Sequence, residues 1–435
     1  MNQLLSDNIL AGGYLIVWTI TLIWYQFLNR RMDGGTAVIS AYIFYAIFSL
    51  LTITDPLFSM AFNKLKLFPY IYLYTVQMLT LAPVIYHHTH PVNEIVDPNT
   101  KVIKLLCLLI IGCSVLLIPD LISAGSSGIL QLFTDANAGK EAYMEQIEMV
   151  QDSGKAIRNI PGVLYNMLSD ITVFLFFYIL TLGNKNKWII FGMVFSVLVG
   201  IIQPILRGQR GGVVTGMLTV IGGYMLFQPY ISQSIRKYTR NIGIAALIAF
   251  SIPIIAITFS RFGKEGSGVG GFVNWYVGQG SLYFNNYALN PGGTRNGDRT
   301  VNYFKRLVTN DVPNNFVERR DKYHNLELDD NYFSTFVGDF CIDFGPIVTF
   351  IIFMAFAVIM TYYVRTKNKK ITVYQLLLIF FALCISLQGG MTLFSYSDSG
   401  NLRIVCLLLF YAYLRYHEIL LRKYPLTSTE NKDET

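Results

Sequence analysis

The chain has 435 residues, of which 53% are hydrophobic and only 14% are charged. Soluble domains carry roughly 25% charged residues, so a single soluble globule is excluded and a polytopic membrane protein is implied, with the bilayer as its solvent. The net charge of +7 is modest and scattered over short loops, where it suits membrane orientation better than nucleic acid.

About eleven apolar runs follow one another, each long enough to cross a bilayer once. They are 9–28, 36–54, 68–86, 102–119, 163–183, 188–205, 213–229, 241–259, 346–364, 372–388 and 402–417. The first run ends in Asn29-Arg30-Arg31 with no small-residue cleavage site, so it reads as a retained helix rather than a signal peptide. With simple alternation, Arg30/Arg31, Lys101/Lys104, Lys185/Lys187, Arg236/Lys237/Arg240, Arg365/Lys367/Lys369/Lys370 and Arg415/Arg422/Lys423 share one side. Positive charge marks that side as the cytoplasm. The N-terminus is then outside and the polar tail 424–435 is cytoplasmic and disordered. The expected fold is all-α: one integral membrane domain, 1–435, of about 11 transmembrane helices (10–12), with one large external loop containing short helices.

Two long segments fall on the external side. The first, 120–161, contains Tyr143, Ile147 and Val150 at near-helical spacing, an amphipathic pattern suited to lying on the membrane. The second, 261–345, is glycine- and aromatic-rich in its first half and charge-dense in its second. Long ordered loops of this kind are usually functional. Of five cysteines, Cys107, Cys113, Cys384 and Cys406 lie within apolar runs and Cys341 stands alone near a boundary. That scatter supports neither a disulfide framework nor a zinc site. His87-His88-Thr89-His90 lacks partner ligands at metal spacing and reads as a polar loop.

Leu206-Arg207-Gly208-Gln209-Arg210-Gly211-Gly212 joins two of the runs on the external side. A guanidinium near hydrocarbon costs several kcal/mol unless paired or wet. A lone arginine at a helix end snorkels to lipid head groups. Two of them on a glycine-rich turn, on the side that normally lacks positive charge, point to a bound anion. Arginine matches phosphate oxygens with a planar fork of donors, and Gly208 and Gly211 let the backbone approach a ligand closely. A helix expected to start at about Val213 aims its N-terminal dipole at the same place. Arg261 and Arg403 share this placement at external helix ends. Helix middles are almost bare of charge, Asp170 being the chief exception. An ion-coupled transporter would concentrate ionisable groups there. In the long loop, His324 is the only external histidine and a natural proton acceptor near neutral pH. Arg319 and Arg320 read as a solvated surface.

The stretch Asp330-Asn331-Tyr332-Phe333-Ser334-Thr335-Phe336-Val337-Gly338-Asp339-Phe340-Cys341-Ile342-Asp343-Phe344-Gly345-Pro346 resembles the Asn-x-aromatic to Asp-Phe-Gly segment before a late helix in O-antigen polymerases, the Wzy-type oligosaccharide repeat-unit polymerases of bacterial surface polysaccharide synthesis. The Arg207–Gly211 turn resembles the Ser/Gly-Arg-Gly element of the same family. Pro346 departs from it, standing where a second aliphatic residue or glycine is common. The resemblance covers some thirty residues.

It implies a metal-independent, cofactor-free glycosyltransferase in the bacterial cytoplasmic membrane, working on polyprenyl-diphosphate-linked oligosaccharides at the external face. The growing glycan would pass as a block from its diphosphate lipid to the non-reducing end of a new unit. Membrane lipids, and flippase and chain-length regulator proteins, would be its partners; nucleic acid would not. Arg207, Arg210 and Arg261 would stabilise the departing diphosphate. His324, Asp330 and Asp343 are the candidate bases for the attacking hydroxyl. Asn331, Tyr332, Arg403, Trp275 and Tyr276 would bind substrate, the aromatics by stacking on sugar rings. An O-antigen ligase, which transfers the glycan to a lipid core, is the nearest rival. A lipid-linked saccharide flippase is the rival from another class.

Overall fold

The computed structural model describes residues 2–90, 92, 94–96, 98, 100–123, 160–183, 186–206, 209–262, 268–314, 316–329, 332–366, 369–392 and 397–423. The expected amphipathic helix within 120–161 and the tail 424–435 fall outside the described residues almost entirely.

The chain is an all-α, multi-pass membrane protein. Among the described residues, eight helices are long and apolar enough to cross a bilayer. They lie in α1 (Asn2–Asn29), α2 (Gly34–Thr54), α4 (Leu67–Thr89), α5 (Thr100–Leu116, continuing to Ser123), α6 (Ile160–Thr181), α7 (Lys187–Leu206), α9 (Gln233–Phe262) and α13 (Thr335–Tyr363). Two shorter apolar helices, α8 (Arg210–Phe227) and α14 (Val373–Gln388), pack among them, and α15 (Ser397–Lys423) closes the described chain. A four-residue helix α3 (Pro56–Ser59) follows α2.

Local chemistry fixes several boundaries. Asp33 caps α2 by accepting from the Thr36 amide at 2.9 Å, which satisfies one of the free N–H groups of a first turn. Thr372 and Gln375 form a capping box at the start of α14. Within α13 the backbone breaks at Gly345 (φ 77°, ψ 164°), and Pro346 follows. Glycine alone adopts that conformation without strain, and proline cannot supply the missing helical N–H. So α13 is two helices meeting at an elbow.

Contacts between helix ends define two faces. On the first, Asp7 accepts from the Leu65 amide at 2.9 Å and Thr335 N donates to Met391 O at 2.7 Å. The start of α1 therefore lies beside the start of α4, and the start of α13 beside the end of α14. On the second, His88 at the end of α4 lies 3.9 Å from Asp33, and Gln228 Nε2 after α8 donates to Met32 O at 2.6 Å. Here too β1 (Glu94–Val96) pairs in parallel with β2 (Lys370–Thr372), Glu94 opposite Lys370. The second face carries Arg30, Arg31, Lys101, Lys187, Arg236, Lys237, Arg240 and Arg365. It is called the basic face below, and the first the loop face.

The described residues of the region 268–334 lie at the loop face and include several helices. It holds α10 (Gly268–Tyr283), a π-turn (Phe284–Ala288), α11 (Asn302–Arg306) and α12 (Phe316–Lys322). The glycine-rich half read from sequence as loop is α10, which is wedged against the end of α2. A Cβ on Gly278 would sit 2.3 Å from the Phe48 carbonyl carbon, and Ser49 Oγ donates to Gly278 O at 2.6 Å. Glycine here permits close backbone approach, the means by which helices associate where apolar burial gives little drive. In the core, α6, α8 and α14 meet where Phe174 packs on Phe227 and Phe380 with ring centroids 5.3 and 5.6 Å apart.

Candidate functional site

Four helices, α6, α7, α8 and α15, separate near the loop face and leave a cavity of about 300 Å³. Each contributes residues from its loop-face end. Tyr165 to Val173 come from the first two-thirds of α6, Val197 to Pro204 from the end of α7, Gln209 to Val220 from the turn before α8 and its first part, and Ser399 and Arg403 from the start of α15. The mouth is therefore beside the turn that joins α7 to α8. From Gln209 to Thr219 the wall follows α8 inward by about 15 Å at 1.5 Å per residue.

The lining is polar for a space between apolar helices. It includes the amides of Asn166, Gln203 and Gln209 and the hydroxyls of Ser169, Thr215 and Thr219. Ser169 donates to Asn166 O at 3.0 Å and Thr215 to Gly211 O at 2.8 Å. With their protons committed to their own helices, these oxygens present lone pairs as acceptors. At the floor, Gln388 Nε2 donates to Thr219 Oγ1 at 2.7 Å. Among the described residues, the charged groups lining the cavity are Asp170 and Arg403. They attract one another electrostatically. Arg403 Nε is buried without a hydrogen-bond partner, an uncommon state for a guanidinium nitrogen. A cavity with one guanidinium, one carboxylate and a ring of neutral donors and acceptors can hold a hydroxyl-rich anionic molecule.

The turn at the mouth is closed by Gln209 N donating to Pro204 O at 2.8 Å. Arg207 and Gly208 fall outside the described residues. For Arg210 and Arg261 the backbone is helical: α8 begins at Arg210, three residues before the expected Val213, and Arg261 lies in the last turn of α9. Gly211 and Gly212 therefore belong to the first turn of α8 instead of a loop. A Cβ on Gly212 would meet Pro204 Cβ at 2.8 Å, so this glycine lets α7 and α8 touch at the mouth.

Beside the cavity, a buried polar clasp holds the loop region to the bundle. Arg299 Nη2 lies 3.3 Å from Asp339 Oδ1 and donates to Thr392 Oγ1 at 3.2 Å. Thr392 and Ser334 each donate to the Asp339 carboxylate at 2.8 Å. One turn on, Asp343 Oδ2 accepts from Arg299 N at 3.2 Å and from the Thr300 amide and hydroxyl at 2.7 Å each. Asn401 of α15 donates to Thr300 O at 2.8 Å. A second ion cluster lies further out. Lys305, Lys322 (2.9 Å) and the Tyr323 hydroxyl (2.6 Å) converge on Asp298. Burial alone would raise the Asp298 carboxyl, but hydrogen bonds from Lys305, Tyr323 and Lys322 outweigh it and hold it below the ordinary carboxylate range.

Of the residues singled out from sequence, the cavity lining takes Arg403, and for Arg210 the structure gives the backbone position, the first residue of α8. The others lie elsewhere. Asp343 is fully buried in the clasp, where it positions the 299–300 backbone. His324 is exposed on the outer loop, its Nδ1 2.8 Å from Asp321 O. Trp275 and Tyr332 meet edge-on at 5.6 Å, Tyr332 stacks on Tyr283 at 5.1 Å, and Tyr276 meets Phe333 at 5.0 Å. These rings pack on one another at the junction of α10 and the segment before α13, apart from the cavity lining, with Tyr283 buried and the others half-buried. Asp330 and Asn331 fall outside the described residues.

Sequence reasoning missed Arg299, Thr392 and Asn401. One signal was present: Asp339 and Asp343 are four apart in helix and share a face, which calls for a cation. Asp170 stood out as a lone charge, but its cavity is assembled from four separated helices. Compared with family models, curated proteins and solved structures, the chain matches none.

Proposed function

We propose that the protein is an integral membrane glycosyltransferase that joins polyprenyl-diphosphate-linked oligosaccharide units at the external face of the bacterial cytoplasmic membrane. The carrying observation is the placement of the cavity. It opens on the loop face, opposite the lysines and arginines of the basic face. If the basic face is cytoplasmic, as positive charge directs, the cavity faces outward. Eleven crossings, made by α1, α2, α4 to α9 and α13 to α15, would put the two chain ends on opposite sides. The donor's lipid tail lies among the helices in this reading, and its diphosphate reaches the mouth, where Arg207, Arg210 and Arg403 hold the charge that builds as the sugar–phosphate bond breaks. Loss of one such preorganised donor costs about 10²–10³ in rate.

The test is Arg210→Ala and Arg403→Ala in the producing cell, with surface polysaccharide resolved on a gel. The expected result is collapse of the long-chain ladder to single repeat units. An unchanged ladder with normally expressed protein would falsify the reading. Long chains stranded on the carrier lipid would indicate the ligase instead. The flippase reading gains one observation: Asp170 lies midway along α6, at a depth where transporters place ionisable groups. A cysteine at Thr219 that reacts with an impermeant thiol reagent from both sides of the membrane would favour it.

A further inference from the structure

A transferase of this kind needs a proton acceptor, and the structure narrows the choice. His324 is on the outer surface and Asp343 is enclosed in the clasp. Neither lines the cavity. Asp170 does, and among the described residues it is the only carboxylate there. It projects from the middle of α6 among hydroxyl and amide groups suited to holding a sugar, with Arg403 on the facing helix. A carboxylate midway along a membrane-spanning helix is costly, and among the described residues no hydrogen bond anchors it to the framework as Asp339 and Asp343 are anchored.

Resting on the glycan-transfer reading above, we propose that Asp170 is a catalytic residue, the base that accepts the proton of the attacking sugar hydroxyl. The acceptor hydroxyl oxygen forms a bond to the anomeric carbon of the donor. The bond from that carbon to the diphosphate oxygen breaks, and its electron pair leaves with the lipid diphosphate beside Arg403. The hydroxyl proton passes to an Asp170 carboxylate oxygen and is later released to water. Arg403, which lines the same cavity, meets the new negative charge on the leaving group. The titratable groups facing Asp170 are Arg403 from α15, Tyr165 from its own helix and Cys384 from α14. Among the described residues of α7 and α8, none that lines the cavity titrates.

The test uses the full-length protein in lipid nanodiscs, supplied with a polyprenyl-diphosphate-linked repeat unit, and follows chain extension across pH. Wild-type activity should fall on the acid side as the carboxylate protonates. Asp170→Asn should lower turnover by about 10²–10⁴-fold, leave the apparent KM within about threefold and abolish that acid limb. Asp170→Glu should retain the limb, with its midpoint displaced. A turnover loss below tenfold in the Asn variant, or an acid limb preserved in it, overturns the proposal. Should the Asn variant not fold, the Glu variant decides, because an undisplaced limb overturns it equally. The two readings fail differently. Wild-type protein that extends no chain sinks the transferase and this role with it, whereas an active wild type with an indifferent Asp170→Asn sinks this role alone.

Discussion

Arg299 and Asp339 offer a direct measure of what holds the loop region in place. Their side chains are 8% and 0% exposed, so the weak energetics of surface pairs do not apply. Replacing Asp339 by Asn keeps the side-chain shape but leaves one oxygen to accept where Ser334 and Thr392 each donate to their own, and it removes the carboxylate charge beside the buried guanidinium. Breaking a buried pair on one side costs about 3–5 kcal/mol. If that cost falls on the attachment of the loop, the population of the detached state rises by about 10²–10³·⁵, at tenfold per 1.4 kcal/mol. Limited proteolysis reads this directly, since cleavage in the fast-exchange regime tracks the open population. The sites to monitor are Lys305 to Lys322, in folded protein in detergent. Arg299→Met should behave similarly, and the double variant should be less damaged than the sum of the singles by at least about 1 kcal/mol, because neither charge is then stranded. Cleavage rates within threefold of wild type for both single variants, or strict additivity in the double, would refute the claim that this pair is the attachment point.

Other outcomes follow from the same geometry. Gly278→Ala places a methyl group 2.3 Å from the Phe48 carbonyl carbon and should destabilise the protein by about 1–3 kcal/mol or more, seen as a lower melting temperature in detergent. The Asp298 carboxyl is held below its ordinary value, so its contribution is complete above the unfolded value of about 3.9 and is lost as pH falls through the depressed folded value. Cleavage of the outer loop should therefore stay flat from neutral pH to about pH 5 and accelerate only in stronger acid, and Asp298→Asn should remove most of that acid response. His324→Ala should leave the polysaccharide ladder intact and stability within about 0.5 kcal/mol, since the ring is exposed and, among the described residues, its hydrogen-bond contact is to the neighbouring Asp321 carbonyl.

Apolar periodicity alone carries the class of this fold, because in a bilayer the length of an apolar run is itself the structural constraint. It reaches the helices that face lipid and falters elsewhere. The first turn of α8 was read as loop because Arg210, Gly211 and Gly212 are not apolar, yet a first turn needs no apolar residue when it begins at a cavity mouth. The glycine- and aromatic-rich first half of the external loop gave no apolar run from which to place α10, whereas in the structure Gly278 is what allows α10 to lie against Phe48 and Ser49. At the site, Arg403 was visible as a charge at a helix end. The convergence of Asp170 with Arg403 was not, since it depends on how α6 and α15 are brought together by α7 and α8. Nor was Arg299, whose partner Asp339 is forty residues further along the chain.

The elbow at Gly345 and Pro346 has a bearing on how the protein fits its membrane. A straight helix of the 29 residues in α13 would be about 44 Å long, well beyond a hydrocarbon core of about 30 Å. Left unbroken, it would have to tilt steeply or thicken the surrounding lipid. Turning the chain at Gly345 leaves 346–363, about 27 Å of helix, to match the bilayer and frees the preceding turns to run with the outer loops. Membrane thickness can then vary without disturbing the buried carboxylates above the bend, because the part that senses lipid and the part that grips Arg299 meet at a joint.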